Sequence, residues 1–291
     1  MSTIVIKIGG GAGIEMDPIL DEFAAIIRAG ERAVLVHGGS DETNRVSEQL
    51  GRPARFITSP SGHTSRRTDR ETLDIFTMVY CGRINKAIVE GLRRRGVDAI
   101  GLSGIDGGLW KGERKGAIRA IEDGRTVIIR DDLSGRVTSV DAALLRLLME
   151  GGRTPVLTPP AITQDGVAIN VDADRAAALT AAALGADELL LLSNVVGVMR
   201  DPMQAESLIP SAAGAGLLAV RDAAKGRMKN KVLAAEEAII GGVGRVVIGS
   251  ARGEGAIARA RGGAGTVFIA GEVDVHAGEG LGGSVSEGVG A

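Results

Sequence analysis

Short runs of β-branched and aliphatic residues alternate with amphipathic stretches along most of this sequence, and no other feature restricts its fold as strongly. Strand-like runs occupy Thr3–Ile8, Ala33–Val36, Ala99–Leu102, Thr126–Arg130, Pro155–Leu157, Glu188–Leu192, Arg245–Ile248 and Thr266–Ile269. Helical spacing of apolar residues marks Pro18–Arg28, Asp41–Leu50, Arg70–Arg95, Val140–Glu150, Asp172–Leu184 and Met228–Ile240. Strand and helix in alternation predict an α/β fold whose sheet is parallel or mostly parallel and covered on both faces. The leucines of Glu188–Leu192 read as a strand buried on both sides. Two prolines and a polar turn across Thr158–Asp165 separate a half with charged helices from an alanine-rich half, which places a lobe boundary there. Residues 271–291 hold seven glycines and four acids with neither Lys nor Arg, and are expected to form a disordered tail without chemistry.

The 291 residues include 44 glycines, roughly twice the ordinary share of about 7%. Glycine at this density predicts many tight strand-to-helix turns, and ligands of open α/β sheets bind at the carboxyl ends of the strands. Four glycine turns fall at such ends: Lys7-Ile8-Gly9-Gly10-Gly11, His37-Gly38-Gly39-Ser40, Gly101-Leu102-Ser103-Gly104 and Ser193-Asn194-Val195-Val196-Gly197. In each, backbone N–H groups can approach an anion and the following helix adds its positive end. The basic residues divide into 27 Arg and 7 Lys. A site that needs one compact charge beside a phosphate resists replacement of lysine by the planar arginine fork. Lys7, Lys86, Lys111, Lys115, Lys225, Lys229 and Lys231 are therefore the candidates for phosphate contact.

Other chemistries are excluded by what the sequence omits. It has no Gly-x-x-x-x-Gly-Lys-Ser/Thr, its first turn reads Gly9-Gly10-Gly11-Ala12-Gly13 instead of Gly-x-Gly-x-x-Gly, and its second strand ends in His37-Gly38-Gly39 with no ribose-binding acid. Neither a P-loop enzyme nor a dehydrogenase fits. Three isolated histidines (His37, His63, His276) and the single Cys81 argue against a protein-held metal, a His-dependent triad or a disulfide framework. A net charge of −2 gives no general affinity for nucleic acid or membrane, and no apolar run approaches the ~18 residues of a membrane span. The opening residues enter a strand pattern with no signal peptide, so the chain is expected to be cytoplasmic.

Taken in order, six segments resemble the amino acid kinase family: Val5-Ile6-Lys7-Ile8-Gly9-Gly10, Val36-His37-Gly38-Gly39, Arg66-Arg67-Thr68-Asp69, the run from Ala168 to Asp174, the run from Leu192 to Gly197, and the run from Gly226 to Val232. The fold this implies is a three-layer αβα sandwich around a central, mainly parallel sheet. Residues 1–160 would form the acceptor lobe, which also dimerises, and residues 161–270 the ATP lobe. Arg66 to Asp69 and the long helix after it are similar to the acetylglutamate kinase branch. Within it, Ser59 to Asp69 and Met78 to Lys86 look like the carrier-protein-dependent kinases of the lysine and arginine routes. Such an enzyme uses ATP to phosphorylate the side-chain carboxylate of L-2-aminoadipate, or of L-glutamate, held on a small acidic amino-group carrier protein of the LysW type. The rivals are a kinase of free N-acetyl-L-glutamate and a non-catalytic amino-acid sensor. The short segment before the first strand implies a homodimer without the N-terminal helix of arginine-regulated relatives.

By the same resemblance, Lys7 and Lys231 reach the phosphates from opposite lobes and Asp174 orients them. The N–H groups of Gly9, Gly10 and Gly39 take the transferring oxygens, and Gly38 and Gly39 place the reacting carboxylate. Arg66 and Asn170 bind the α-carboxylate, and Ser193, Asn194, Gly197 and Met228 line the adenine and ribose. An Asp is common in the branch where Asn194 stands here. Mg²⁺ would ride on the ATP phosphates without a dedicated protein site. Arg52, Arg55, His63, Arg66, Arg67 and Arg70 would form the basic approach surface for the acidic carrier. Arg93, Arg94 and Arg95 are read as ordinary partners of a helix C-terminus.

Overall fold

A computed structural model describes residues 2–60, 64–122 and 125–271. The expected disordered tail, His63 and His276 lie outside the described residues. The strands are β1 (Thr3–Ile8), β2 (Arg32–His37), β3 (Phe56–Thr58), β4 (Thr64–Arg66), β5 (Ala99–Ser103), β6 (Trp110–Arg114), β7 (Ile118–Glu122), β8 (Arg125–Ile129), β9 (Gly135–Val140), β10 (Thr154–Thr158), β11 (Ala161–Thr163), β12 (Ala168–Ile169), β13 (Glu188–Ser193), β14 (Arg245–Ser250) and β15 (Thr266–Ile269). The helices are α1 (Met16–Arg28), α2 (Ser40–Gln49), α3 (Arg70–Thr77), α4 (Asn85–Arg94), α5 (Ala142–Glu150), α6 (Ala173–Leu184), α7 (Ala215–Ala223), α8 (Arg227–Ile240) and α9 (Ala256–Arg261).

Seven strands form the central sheet in the order β15-β14-β13-β1-β2-β10-β5, and only β15 runs antiparallel to its neighbour. Strand alternation divides the core. Ile4, Ile6 and Ile8 of β1 pack with Phe23 of α1, Leu92 of α4 and Ile257 of α9 on one face. Val5 shares the other face with Val34, Leu189 and Val246 and with the alanines of α6 and α8. The fold is thus a three-layer αβα sandwich. Because side chains alternate along a strand, Lys7 projects from β1 on the same side as Val5, toward α6.

Two four-stranded sheets, β12-β11-β6-β9 and β4-β3-β7-β8, lie outside this frame. One predicted strand, Thr126–Arg130, belongs to the second of them as β8. The buried Trp110 of β6 ties the first to the core by donating from Nε1 to Thr180 Oγ1 on α6, at 3.1 Å. The expected continuous helix Arg70–Arg95 is interrupted: α3, capped by the Asp69 carboxylate on the Thr72 N–H, runs into a wider π-helical turn at Met78–Ile84 before α4 begins. Such turns place an extra residue in a helix and often accompany functional sites. Among the described residues no helix is long and apolar enough to cross a membrane.

Candidate functional site

The carboxyl ends of β1, β2 and β13 converge where chain connections leave the sheet in opposite directions, the crevice in which open α/β sheets bind ligands. Asp174 lies on the floor of this crevice, in the first turn of α6, where a helix N-terminus favours an anion. Its Oδ1 stands 2.6 Å from Lys7 Nζ of β1 and its Oδ2 stands 2.8 Å from Lys231 Nζ of α8. All three side chains are buried. Burial by itself would raise the Asp174 carboxyl, but the charges and hydrogen bonds of Lys231 and Lys7 outweigh it and hold the group well below the carboxylate range. Burial lowers Lys7, Asp174 opposes that shift, and the charge of Lys231 adds to it. The triad carries one net positive charge in a site screened from water.

Asp172 organises this triad. Its Oδ1 caps α6 by accepting from the N–H groups of Asp174 and Arg175 at 2.9 and 3.0 Å, and its Oδ2 accepts from Asn230 Nδ2 at 2.8 Å. One carboxylate therefore fixes both the start of α6 and the residue preceding Lys231. An Asp before an alanine-rich run is a legible helix start, but its link to Asn230 has no local signature.

The glycine turns after β1 and β2 crowd together. A Cβ on Gly10 would lie 2.1 Å from the Gly39 nitrogen, and one on Gly39 would lie 2.3 Å from Ile84 Cδ1. The expectation that Gly9 donates its N–H to a ligand is corrected: that N–H donates to the Leu192 carbonyl at 2.8 Å, as strand pairing between β1 and β13 continues into the turn. Gly38 N–H is likewise committed to Ile8 O at 2.9 Å. The Gly10 carbonyl accepts from Asp41 N–H at 2.9 Å, which seats the first turn on the start of α2.

Arg66, at the end of β4, reaches the same opening. Its Nη2 donates to Asn44 Oδ1 and, at 3.4 Å, to Ser40 O, while its Nη1 is buried with no hydrogen-bond partner among the described residues. Burial pulls this guanidinium below its ordinary range, Tyr80 opposes the shift, and the charge of Arg227 adds to it. Arg227 lies one helical turn before Lys231 and was not singled out from the sequence. Thr68 joins Arg66 to Asn170: its hydroxyl donates to Arg66 O at 3.2 Å and accepts from Asn170 Nδ2 at 3.1 Å.

On the β13 side, Ser193 Oγ is buried without a hydrogen-bond partner among the described residues, and Asn194 is exposed beside Gly11. Gly197 has a packing reason to be glycine, since a Cβ there would stand 2.6 Å from Leu208 Cδ1 and 2.9 Å from Thr266 Oγ1. Met228 is half-buried against the core cluster shared by α6 and α8. Among the described residues no group of three or more His, Cys, Asp or Glu is placed to hold a metal ion.

The basic stretch is less free than the sequence implies. Arg52 pairs with Glu71 at 2.8 Å, Arg67 with Asp131 at 2.6 Å, and Arg70 with Asp74 at 3.5 Å. Arg55 stays exposed and lines, with Phe56, Arg67 and Arg130, an open cavity of about 720 Å³ on the β3 and β8 side. At the end of α4, Arg93 and Arg94 pair with Asp98 and Glu90, and Arg95 bonds Asp21 at 2.6 Å.

Known proteins are similar to this chain. A LysW-aminoadipate kinase of Deinococcus radiodurans is 52% identical over 267 residues, covering 92% of this chain and 91% of that protein. A LysW-aminoadipate kinase of Thermus thermophilus is 48% identical over 91% of this chain and 99% of its own length. An acetylglutamate kinase of Methanopyrus kandleri is 37% identical over 88% of this chain and 99% of its own. Among solved structures, N-acetylglutamate synthase from Neisseria gonorrhoeae with coenzyme A and N-acetyl-glutamate superposes with a TM-score of 0.73 at 22% identity. That match takes in 92% of this chain and 59% of the synthase chain, and it bears on the fold alone. The model of the amino acid kinase family matches residues 2–250, and with that extent of agreement the chain belongs to the amino acid kinase family.

Proposed function

We propose that this phosphotransferase moves the γ-phosphoryl group of ATP to the side-chain carboxylate of carrier-protein-linked L-2-aminoadipate, forming an acyl phosphate, and that carrier-linked L-glutamate is a second acceptor. The observation that carries the reading is the buried Lys7–Asp174–Lys231 triad at the switch point of the sheet. The substrate class is supported by relatives named for LysW-aminoadipate at 52% and 48% identity. The acceptor differs from aminoadipate to glutamate by one methylene, a difference of only about 1–3 kcal/mol in a pocket.

The residues present fit ATP and an anionic acceptor. Arg66 Nη1 and Ser193 Oγ are buried polar atoms that lack partners among the described residues, and such atoms are costly unless a ligand satisfies them. Phosphoryl transfer depends on positioning and on cancelling charge. Lys7 and Lys231 supply two cations, and Asp174 keeps them together while leaving a net charge of +1. The Gly10 and Gly39 N–H groups would add donors, the second in place of its contact with the Tyr80 hydroxyl. A carboxylate acceptor is ionised at neutral pH, so no general base is needed. Arg66 and Asn170 hold the α-carboxylate, a planar group suited to the arginine fork. Mg²⁺ carried on the ATP phosphates would supply charge neutralisation there. In this reading residues 1–160 hold the acceptor, residues 161–270 hold ATP, Ser193, Asn194, Gly197 and Met228 belong to the nucleotide side, and the enzyme is a cytoplasmic homodimer whose partner is a small acidic carrier.

The test is ATP-dependent acyl-phosphate formation, trapped with hydroxylamine, on carrier-linked aminoadipate, carrier-linked glutamate and free N-acetylglutamate. Turnover of the carrier-linked acceptors is expected. Turnover of N-acetylglutamate alone would replace the reading with acetylglutamate kinase, and binding without turnover would leave an amino-acid sensor.

A further inference from the structure

His37 is fully buried at the end of β2, directly before the Gly38–Gly39 turn, and takes no part in the chemistry described above. Both of its ring nitrogens are engaged. Nδ1 lies 2.9 Å from the Gly38 carbonyl, and Nε2 lies 3.1 Å from Asn85 Nδ2. A carbonyl can only accept, so Nδ1 carries the proton and Nε2 accepts from the Asn85 amide. The same amide donates to Val156 O at 3.0 Å, which fixes its orientation. The surroundings are built for this pair. Thr158 Oγ1 donates to His37 O at 3.3 Å, and Gly101 leaves room for Asn85, since a Cβ there would lie 1.9 Å from Asn85 Oδ1.

In a trans peptide the C=O and N–H point in opposite directions. Holding the Gly38 carbonyl on the imidazole thus also sets the direction of the Gly39 N–H. The neighbours of Gly39 come from the same helical segment as Asn85: Tyr80 and Ile84 lie in the π-helical turn that Asn85 follows. The Gly39 N–H is directed toward the Tyr80 hydroxyl, so a transferring oxygen would share or replace that partner.

We propose that His37 and Asn85 are positioning residues that aim the Gly39 amide at the transferring group, with the imidazole held neutral and protonated on Nδ1. The proposal deepens the functional reading above and rests on Gly39 serving that group. It demands a neutral ring, because a second ring proton would meet the Asn85 amide hydrogens and add charge beside Lys7. The charged and titratable groups around the ring are Lys7 from β1, Tyr80 from the π-helical turn, and Lys86, which donates to Asn85 Oδ1 at 3.3 Å.

Two substitutions separate the contacts. His37→Asn can keep a donor at the Nδ1 position for the Gly38 carbonyl, whereas His37→Gln can keep only an acceptor for Asn85. With carrier-linked aminoadipate, kcat is expected to stay within about 10-fold for H37N and to fall about 100-fold for H37Q, the size of effect that follows from a 1 Å misplacement. KM for ATP is expected to be unchanged in both. Asn85→Asp turns an acceptor toward Nε2, so its kcat is expected to gain an acid limb near neutral pH that the unsubstituted enzyme lacks. Nitrogen NMR of the full chain, which has three histidines, is expected to show His37 as the Nδ1–H tautomer from pH 8 to 5. Equal losses in H37N and H37Q, or an Nε2–H tautomer in the unsubstituted protein, would overturn the proposal. Inactivity of the unsubstituted enzyme on every acceptor would overturn the functional reading instead, and the tautomer spectrum then decides the geometry by itself.

Discussion

Gly10 and Gly39 meet backbone against backbone, so closely that a methyl group on the first would overlap the nitrogen of the second. Gly10→Ala is therefore expected to push the two turns apart and lower kcat about 100-fold. Gly30→Ala is the control: it is exposed with φ 86° and nothing near its missing Cβ, so it is expected to cost about 1 kcal/mol of stability and leave kcat intact. Acyl-phosphate trapping and urea denaturation read the two effects.

Asp174→Asn leaves Lys7 and Lys231 buried without their shared anion. A loss of roughly 3–5 kcal/mol is expected, the usual penalty for breaking a buried pair, together with a fall of about 10²- to 10³-fold in kcat. Because the folded carboxyl lies below its ordinary value of 3.8, its contribution to stability is full above that pH and is lost as the pH falls through the lower folded value. Acid titration followed by circular dichroism is expected to show this low-pH loss in the parent and not in D174N.

Burial pushes His37 down to about 4, with the charge of Lys7 adding and the Gly38 carbonyl opposing. Between the unfolded value of 6.5 and about 4, the unfolded chain binds the proton and the folded chain does not. Stability therefore declines as the pH falls through that window, by roughly 3 kcal/mol in all at ~1.4 kcal/mol per unit. Denaturant midpoints at pH 7 and pH 5 are expected to differ less in H37N than in the parent.

Arg66→Lys removes a planar fork with one unpaired nitrogen and substitutes a point charge. KM for the acceptor is expected to rise about 10- to 100-fold, the value of a charged hydrogen bond, with KM for ATP unchanged. A matching rise in KM for ATP would move Arg66 to the nucleotide side of the cleft.

Cys81 is half-buried, and burial pushes its thiol up to about 11. Alkylation by iodoacetamide at pH 8 is expected to be roughly 100-fold slower than for a free cysteine, since only the thiolate reacts. Mass spectrometry over a time course measures it.

The central sheet was readable in the sequence because its strands are runs of β-branched or aliphatic residues set between stretches of helical spacing, with seven of the eight predicted runs joining it. The side sheets were not, because β3, β4, β11 and β12 span only two or three residues and leave no periodicity to detect. Lys7, Asp174 and Lys231 could be picked out by motif, and they meet within hydrogen-bond distance. The role of Asp172 could be half read: its capping position is local, while its bond to Asn230 depends on α6 packing against α8. Gly9 marks a different limit, because strand pairing took the N–H that its motif offered. His37 and Asn85 meet only through tertiary packing, and nothing in either local sequence announces the pair.

The wide turn at Met78–Ile84 makes the length of its helix a fixed quantity. Wound as ordinary α-helix, its extra residue would swing everything beyond by about 100°. Asn85 would leave His37, and Ile88 and Leu92 would rotate away from the face they bury against the sheet. A further insertion, with no second wide turn to absorb it, would dismantle the cleft and the core in a single step.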